Sequence, residues 1–358
     1  MNILQLSKYY PPTKGGIEIV AETISRAEIN NKNNVHIISF GKLDKNYTGQ
    51  YGENIRQIKQ HLFINSTPIN YHFHKKIYNY IENNLISLIY VHLPNPYMHQ
   101  ILYNCHALIK ALGVKIIAVY HSDLINKKIV GALYENYFIK TLHIYDKFIC
   151  SSNNLYQSSR TLKNLNDNKM AIIPFTINRP QQYKKRIHFS GKLLAVGRIV
   201  EYKGFEFLLN TLQHTNYSLK IIGTGPLFNS LRKYESDKIK LLGEVDENEK
   251  CKIFSESDLF IMSSINCAET YGMTLVEAFS AGLPVITPDL PTGVNFLNKD
   301  EERGKIFAVQ SPESLLNALK SFEQNPQLLE RCSENAYNFF VEYLSFEIFA
   351  NKIKQIGF

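Results

Sequence analysis

One arrangement occurs twice in this chain. Residues 2–7 form a short apolar run, residues 8–16 a turn containing Pro11, Pro12, Gly15 and Gly16, and Ile17, Val20, Ala21 and Ile24 then fall on one face of a helix. Near mid-chain, residues 192–196 are again an apolar run, residues 197–204 a loop, and Phe205, Leu208, Leu209 and Leu212 again share a helical face. Apolar runs alternating with helix-period segments are the pattern of a parallel sheet with crossover helices. Further apolar runs at 85–91, 114–120, 147–150, 219–223, 239–243, 259–262 and 285–287 keep alternating with helix-period segments. The fold class is therefore α/β. The repeated opening, over 358 residues, predicts two Rossmann-like, doubly wound parallel-sheet domains rather than one large sheet. Their boundary is expected in the aperiodic stretch 174–186. Ligands of open α/β sheets bind beyond the carboxyl ends of the strands, so functional residues should follow strands and line an interdomain cleft.

Charge is unevenly spread. Lys and Arg number 40 against 32 Asp and Glu, a formal +8, which is basic without marking a nucleic-acid binder. Residues 1–175 hold 19 Lys and Arg against 10 acidic residues, and the remainder hold 21 against 22. Pairs such as Lys75/Lys76 and Lys127/Lys128 are either ordinary solvated faces or a basic surface for an anionic membrane, worth about 1 kcal/mol per well-placed residue. Five cysteines, odd in number and without a C-x-x-C pair, indicate neither a disulfide framework nor a zinc knuckle. The first eight residues lack a secretory apolar region, and no apolar run reaches the 18 or more residues of a membrane span, so a cytoplasmic, reducing location is expected.

The strongest local signal is the segment from Glu269 to Glu277, followed by Gly282 and Pro284. Thr274-x-x-Glu277 reads as a capping box starting a short helix near Thr274, with Gly282 at its end and Pro284 preventing continuation. A helix N-terminus attracts phosphate, and carboxylates beside it accept hydrogen bonds from sugar hydroxyls, a combination suited to a sugar nucleotide. The plainer alternative is that Glu277 caps its own helix and Glu269 is a surface residue. Arg198 and Lys203, in the loop after the mid-chain strand, can bring two cations to a diphosphate leaving group, or can simply be solvated. His121, with Asp123 two residues on, ends a strand of the first half, where a histidine is as suited to function as to structure. His92, between a strand and two prolines, is a lesser candidate. Gly223-x-Gly225 lacks the third glycine of a dinucleotide fingerprint, which disfavours a nicotinamide or flavin enzyme.

Taken in order, these segments resemble the family-4 (GT4) retaining glycosyltransferases of the GT-B fold. The resemblance rests on Gly15-Gly16-Ile17-Glu18, His121-Ser122-Asp123, Ile173-Pro174, Gly197-Arg198 with Lys203-Gly204, Gly223-x-Gly225, Gly243-x-Val245, Glu269-x7-Glu277 and Gly282-x-Pro284. It implies an N-terminal acceptor domain at 1–176, a donor domain at 177–338, and a C-terminal helix at 339–358 that returns to the first domain. It further implies that Gly15 and Gly16 approach the donor phosphates and that Arg198 and Lys203 neutralise the diphosphate. By the same resemblance Glu269 contacts the transferred sugar, Glu277 binds the ribose, backbone at Gly272, Met273 and Thr274 lies against sugar and phosphate, and Val245 lies near the base. His121 would line the sugar and assist transfer, with His92 and Asp123 as acceptor-side candidates. One departure is Ile173-Pro174-Phe175-Thr176, where relatives usually carry a glycine.

The implied activity is retaining transfer of a hexose from a nucleotide sugar to a saccharide acceptor, lipid-linked, in O-antigen, capsule or other surface polysaccharide synthesis, at the inner face of the plasma membrane. The His-Ser-Asp segment together with Leu290-Pro291-Thr292-Gly293-Val294 is similar to bacterial mannosyltransferases using GDP-mannose; a UDP-hexose donor is the alternative. No cofactor or metal is expected, because Arg198, Lys203 and the helix dipole supply the positive charge. The rival readings are a GT-B sugar-nucleotide epimerase and a non-catalytic sugar-nucleotide-binding subunit.

Overall fold

A computed structural model describes residues 1–64, 67–123 and 129–356. The chain divides into two compact units, residues 1–178 with the C-terminal segment from Phe346, and Arg179–Ser345. Lys127 and Lys128 lie outside the described residues, as do the side chains of Lys75 and Lys76.

In the first unit, strands β1 (Asn2–Leu6), β2 (Asn34–Gly41), β3 (Lys45–Thr48), β4 (Asn54–Lys59), β5 (Leu62–Ile64), β6 (Thr67–Ile69), β7 (Ile86–Leu93), β8 (Lys115–Tyr120), β9 (Lys147–Cys150) and β10 (Met170–Ile172) follow in chain order. Eight of them form one sheet in the order β10-β9-β8-β7-β1-β2-β4-β3, and β5 pairs with β6. From β1 the chain winds outward to β2 and then returns past β1 to β7, which makes the β1/β7 seam the topological switch point. The strands at this seam are apolar on both faces, with seven of eight β7 residues buried, because helices cover the sheet on both sides. β3 departs from the expected parallel scheme: it pairs antiparallel with β4. Lys45-Asn-Tyr-Thr is polar and largely exposed, a short edge strand whose composition hides it among loop residues. β5 and β6 are likewise antiparallel.

The second unit contains β11 (Lys192–Val196), β12 (Ser218–Ile222), β13 (Ile239–Gly243), β14 (Leu259–Ile261), β15 (Val285–Pro288) and β16 (Gly304–Phe307). All six are parallel, in the order β13-β12-β11-β14-β15-β16, and the switch point lies between β11 and β14. The helix Phe205–Leu212 buries Phe205, Leu208, Leu209 and Leu212, the face its periodicity predicts.

The chain end is not one continuous helix. Pro326–Phe339 runs into a π-helical turn, Phe340–Leu344, and Ser345 is extended (ψ 155°) before Phe346–Ile356 begins. Phe340 and Leu344 are buried in the second unit, whereas Phe346, Phe349, Ile353 and Ile356 are buried in the first. Two apolar stripes that belong to different cores require the chain to be re-aimed between them. The last helix packs on Gly16–Asn30, with the Arg26 guanidinium 3.7 Å above the Phe346 ring.

Candidate functional site

In the second unit the site is built at the β11/β14 switch point. The loop leaving β11 contains Arg198 and a short 3-10 turn, Glu201–Lys203, and ends at Gly204 with φ +65°. A Cβ at Gly204 would sit 2.0 Å from the Ser263 carbonyl oxygen just beyond β14, so only glycine lets these two loops touch. Ser263 Oγ donates to the Lys203 carbonyl at 2.8 Å and fixes the contact. The Lys203 ammonium, thereby held beside the chain leaving β14, pairs with the Glu269 carboxylate. Their side chains are only 13% and 9% exposed. Burial alone would pull the Lys203 pKa down, but Glu269 and Tyr202 together hold it above the ordinary lysine value, so the cation persists. Ser264 Oγ donates to Glu269 Oε2 at 2.9 Å, and Thr292 Oγ1 donates to the Glu269 carbonyl at 2.8 Å. Arg198 is exposed and pairs with no carboxylate among the described residues.

Glu277 and Thr274 do not form the expected capping box. The helix Met273–Ser280 starts one residue earlier, from Gly272 in the left-handed region (φ +91°, ψ 63°), and no side chain caps it. Thr274 is therefore inside the helix, and its hydroxyl cannot adopt the extended N-cap geometry a box requires. Glu277 turns elsewhere: its Oε1 accepts from Lys250 Nζ at 2.6 Å, with the two side chains 12% and 16% exposed. Glu277 Oε2 and Thr274 Oγ1 are buried without a hydrogen-bond partner among the described residues. Unmatched buried oxygens are costly in a finished core. Here they adjoin a helix start whose first backbone N–H groups have no intrahelical acceptor. Val245 is half-buried, one residue before Asp246, whose carboxylate caps the helix Glu247–Glu256 that carries Lys250.

In the first unit Gly15 precedes the helix Gly16–Asn30 with extended backbone, and the Glu18 carboxylate folds back over it. Burial raises the Glu18 pKa. His121 follows β8 and donates its backbone N–H to the Leu93 carbonyl at 2.9 Å, which places it beside the end of β7. Its Nε2 lies 3.0 Å from His92 Nδ1, and His92 Nε2 lies 2.9 Å from Gln5 Oε1 on β1. The chain Gln5–His92–His121 thus spans three neighbouring strands at the switch point. Phe175, at the departure from the family pattern, packs on the His121 ring at 5.2 Å. Burial pulls the His121 imidazole down to about 3, so it is neutral at physiological pH.

The two acceptor-side candidates, His92 and Asp123, have these surroundings. His92 is only 2% exposed and touches His121 and Gln5 rather than a surface. Asp123 does not pair with His121; its carboxylate accepts from Tyr120 Oη, Ser159 Oγ and the Arg160 backbone N–H, which ties the end of β8 to the turn after residue 158. Sequence reasoning missed Gln5 and Lys250. Gln5 leaves a signal, a polar residue between Leu4 and Leu6 in an apolar strand. Lys250 leaves none, since its partner is 27 positions away.

Known proteins match this chain over both units. Residues 14–179 match the family model described as Glycosyltransferase Family 4, and residues 181–339 the model described as Glycosyl transferases group 1. O-antigen chain mannosyltransferase C of Escherichia coli is 27% identical over 96% of this chain and 94% of its own. D-rhamnosyltransferase WbpZ of Pseudomonas aeruginosa is 26% identical over 70% of this chain and 68% of its own. Among solved structures, sucrose-phosphate synthase from Thermosynechococcus elongatus superposes with a TM-score of 0.80 at 17% identity, covering 99% and 98% of the two chains. Anabaena HepE in complex with UDP gives 0.74 at 15%, covering 99% of each. Successive family models over residues 14–339, on two Rossmann-like units each with its own switch point, make this chain a family-4 glycosyltransferase of the GT-B fold.

Proposed function

We propose that this glycosyltransferase is a retaining hexosyltransferase of surface-polysaccharide synthesis, moving mannose from GDP-mannose, or a hexose from a UDP donor, to a lipid-linked saccharide. The observation that carries the reading is the pair of unmatched buried oxygens, Thr274 Oγ1 and Glu277 Oε2, eight or fewer residues beyond the buried Lys203–Glu269 pair. Gln181 Oε1 and Asn298 Oδ1 of the same unit are also unmatched among the described residues, but Thr274 Oγ1 and Glu277 Oε2 adjoin a buried ion pair and a helix start, where they suit a ligand rich in hydroxyls and phosphate. Glu277 Oε2 accepts from ribose hydroxyls, and the N–H groups of Met273 and Thr274 meet phosphate. Lys203 and Arg198 stabilise charge on the departing diphosphate, and Glu269 orients the sugar. Gly15 and Gly16 serve the phosphates, Val245 the base, and His121 the transferred sugar. As the C1–O bond to phosphate breaks, its electron pair leaves with the nucleoside diphosphate. The acceptor oxygen bonds C1 on the same face and passes its proton to the departing phosphate oxygen, so the anomeric configuration is kept. The cations of the chain serve where other transferases use a metal. The preference for mannose is supported by the identity to the Escherichia coli mannosyltransferase.

A panel of nucleotide sugars in thermal-shift assays tests the donor. At a hundredfold excess over Kd the true donor stabilises by about 2.7 kcal/mol, a shift of several degrees. Product NMR must then show the donor's anomeric configuration retained. Inversion sinks the mechanism, and conversion of the donor without acceptor favours the epimerase.

A membrane site is supported by the basic first unit and by β5, whose Leu62, Phe63 and Ile64 are 42%, 56% and 50% exposed, with Lys8 Nζ 5.3 Å from the Phe63 ring centre. No helix among the described residues is long and apolar enough to cross a membrane. Vesicles with anionic lipid should sediment more protein than neutral ones, and the difference should shrink with salt. Equal binding at low salt contradicts the assignment.

A further inference from the structure

We propose that Gln5 and His92 are positioning residues that lock His121 in the tautomer protonated at Nε2, leaving Nδ1 as an acceptor for a hydroxyl of the transferred sugar. The inference deepens the reading above, since it takes from it that His121 serves the sugar.

The proton positions follow from partners whose roles are fixed. The Gln5 amide nitrogen lies 3.1 Å from the Ala21 carbonyl, which can only accept. The same nitrogen lies 2.7 Å from Ser25 Oγ, whose own hydroxyl donates to Ala21. Rotating the amide would set two oxygens against each other, so Gln5 Oε1 must face His92. An oxygen there requires a proton on His92 Nε2, and a neutral imidazole then has a lone pair on Nδ1. His121 Nε2, 3.0 Å from that lone pair, must be the donor. His121 Nδ1 is left as the acceptor, and no described residue hydrogen-bonds to it. Burial keeps both rings neutral, lowering His92 well below and His121 to about 3.

The order starts from a backbone carbonyl and passes through two side chains to the ring. A histidine held in the wrong tautomer offers a donor where the site needs an acceptor, which is why an orienting neighbour can matter to rate without touching substrate.

The test uses full-length protein labelled with 15N-histidine, the His121 signals being assigned by their loss in His121→Asn. Wild type should show His121 Nδ1 unprotonated and Nε2 protonated. His92→Phe should give a tautomer mixture and lower kcat about tenfold, the worth of one hydrogen bond, with donor KM changed less than about twofold. His92→Gln should rescue both readouts, because its amide can accept from His121 and donate to Gln5. A protonated Nδ1 in wild type overturns the proposal, as does an unchanged kcat and tautomer in His92→Phe. If the tautomer is as stated but wild type transfers from no donor, the sugar role fails with the functional reading while the relay stands.

Discussion

Replacing Lys203 with alanine is expected to lower kcat by about a hundredfold to a thousandfold, the range seen when one preorganised electrostatic contact to a developing anion is removed. The size follows from where the cation sits. Lys203 is largely buried, its charge kept by Glu269 despite desolvation, and its backbone is fastened to the chain beyond β14 through Ser263 and the close contact at Gly204. A cation so placed need not reorganise when charge builds on the leaving diphosphate. The variant also leaves the Glu269 carboxylate with Ser264 but without its counter-charge. Loss of one member of a buried pair costs about 3 kcal/mol or more, so urea denaturation should register the change as well. Lys203→Arg keeps the charge in a different shape and should retain part of the rate. Transfer assays at saturating donor check the point, and a wild-type kcat in Lys203→Ala would remove Lys203 from the site.

The second large effect is in binding rather than rate. Glu277→Ala should weaken nucleoside diphosphate binding about tenfold to a hundredfold, as expected for charge-assisted hydrogen bonds worth about 1.5–3 kcal/mol. One carboxylate oxygen is held by Lys250 while the other is buried and unmatched, so the group is already oriented and a ligand gains it without ordering cost. Ribose is remote from the breaking bond. The loss should therefore appear in KM and in calorimetric Kd for GDP or UDP, with kcat at saturation much less affected. Glu277→Gln, which keeps one acceptor but not the charge, should fall between.

Much of the architecture was legible because parallel strands buried on both faces write themselves as uninterrupted apolar runs, as at β7 and β15. β3 and the break at Ser345 were not, for opposite reasons: a polar edge strand has no apolar pattern, while the chain end has two apolar stripes whose separate destinations periodicity does not reveal. Lys203 and Glu269 stand out in the sequence because each follows a strand, and the structure pairs their side chains. Spacing misread Thr274 and Glu277, since the pattern of a capping box is satisfied by residues that a left-handed Gly272 shifts inside the helix. The two prolines after His92 make it a lesser candidate in the sequence, whereas its partners are set by strand adjacency of β1, β7 and β8, which local sequence does not encode.

The second unit is expected to grip a nucleoside diphosphate at the end of β11 and at the start of the helix Met273–Ser280. A crystal structure of the full chain with GDP or UDP tests it most directly. The diphosphate should lie within hydrogen-bond reach of Lys203 Nζ and the backbone N–H groups of Met273 and Thr274, with ribose hydroxyls on Glu277 Oε2. A nucleotide bound elsewhere, with Glu277 Oε2 still unmatched, would contradict it.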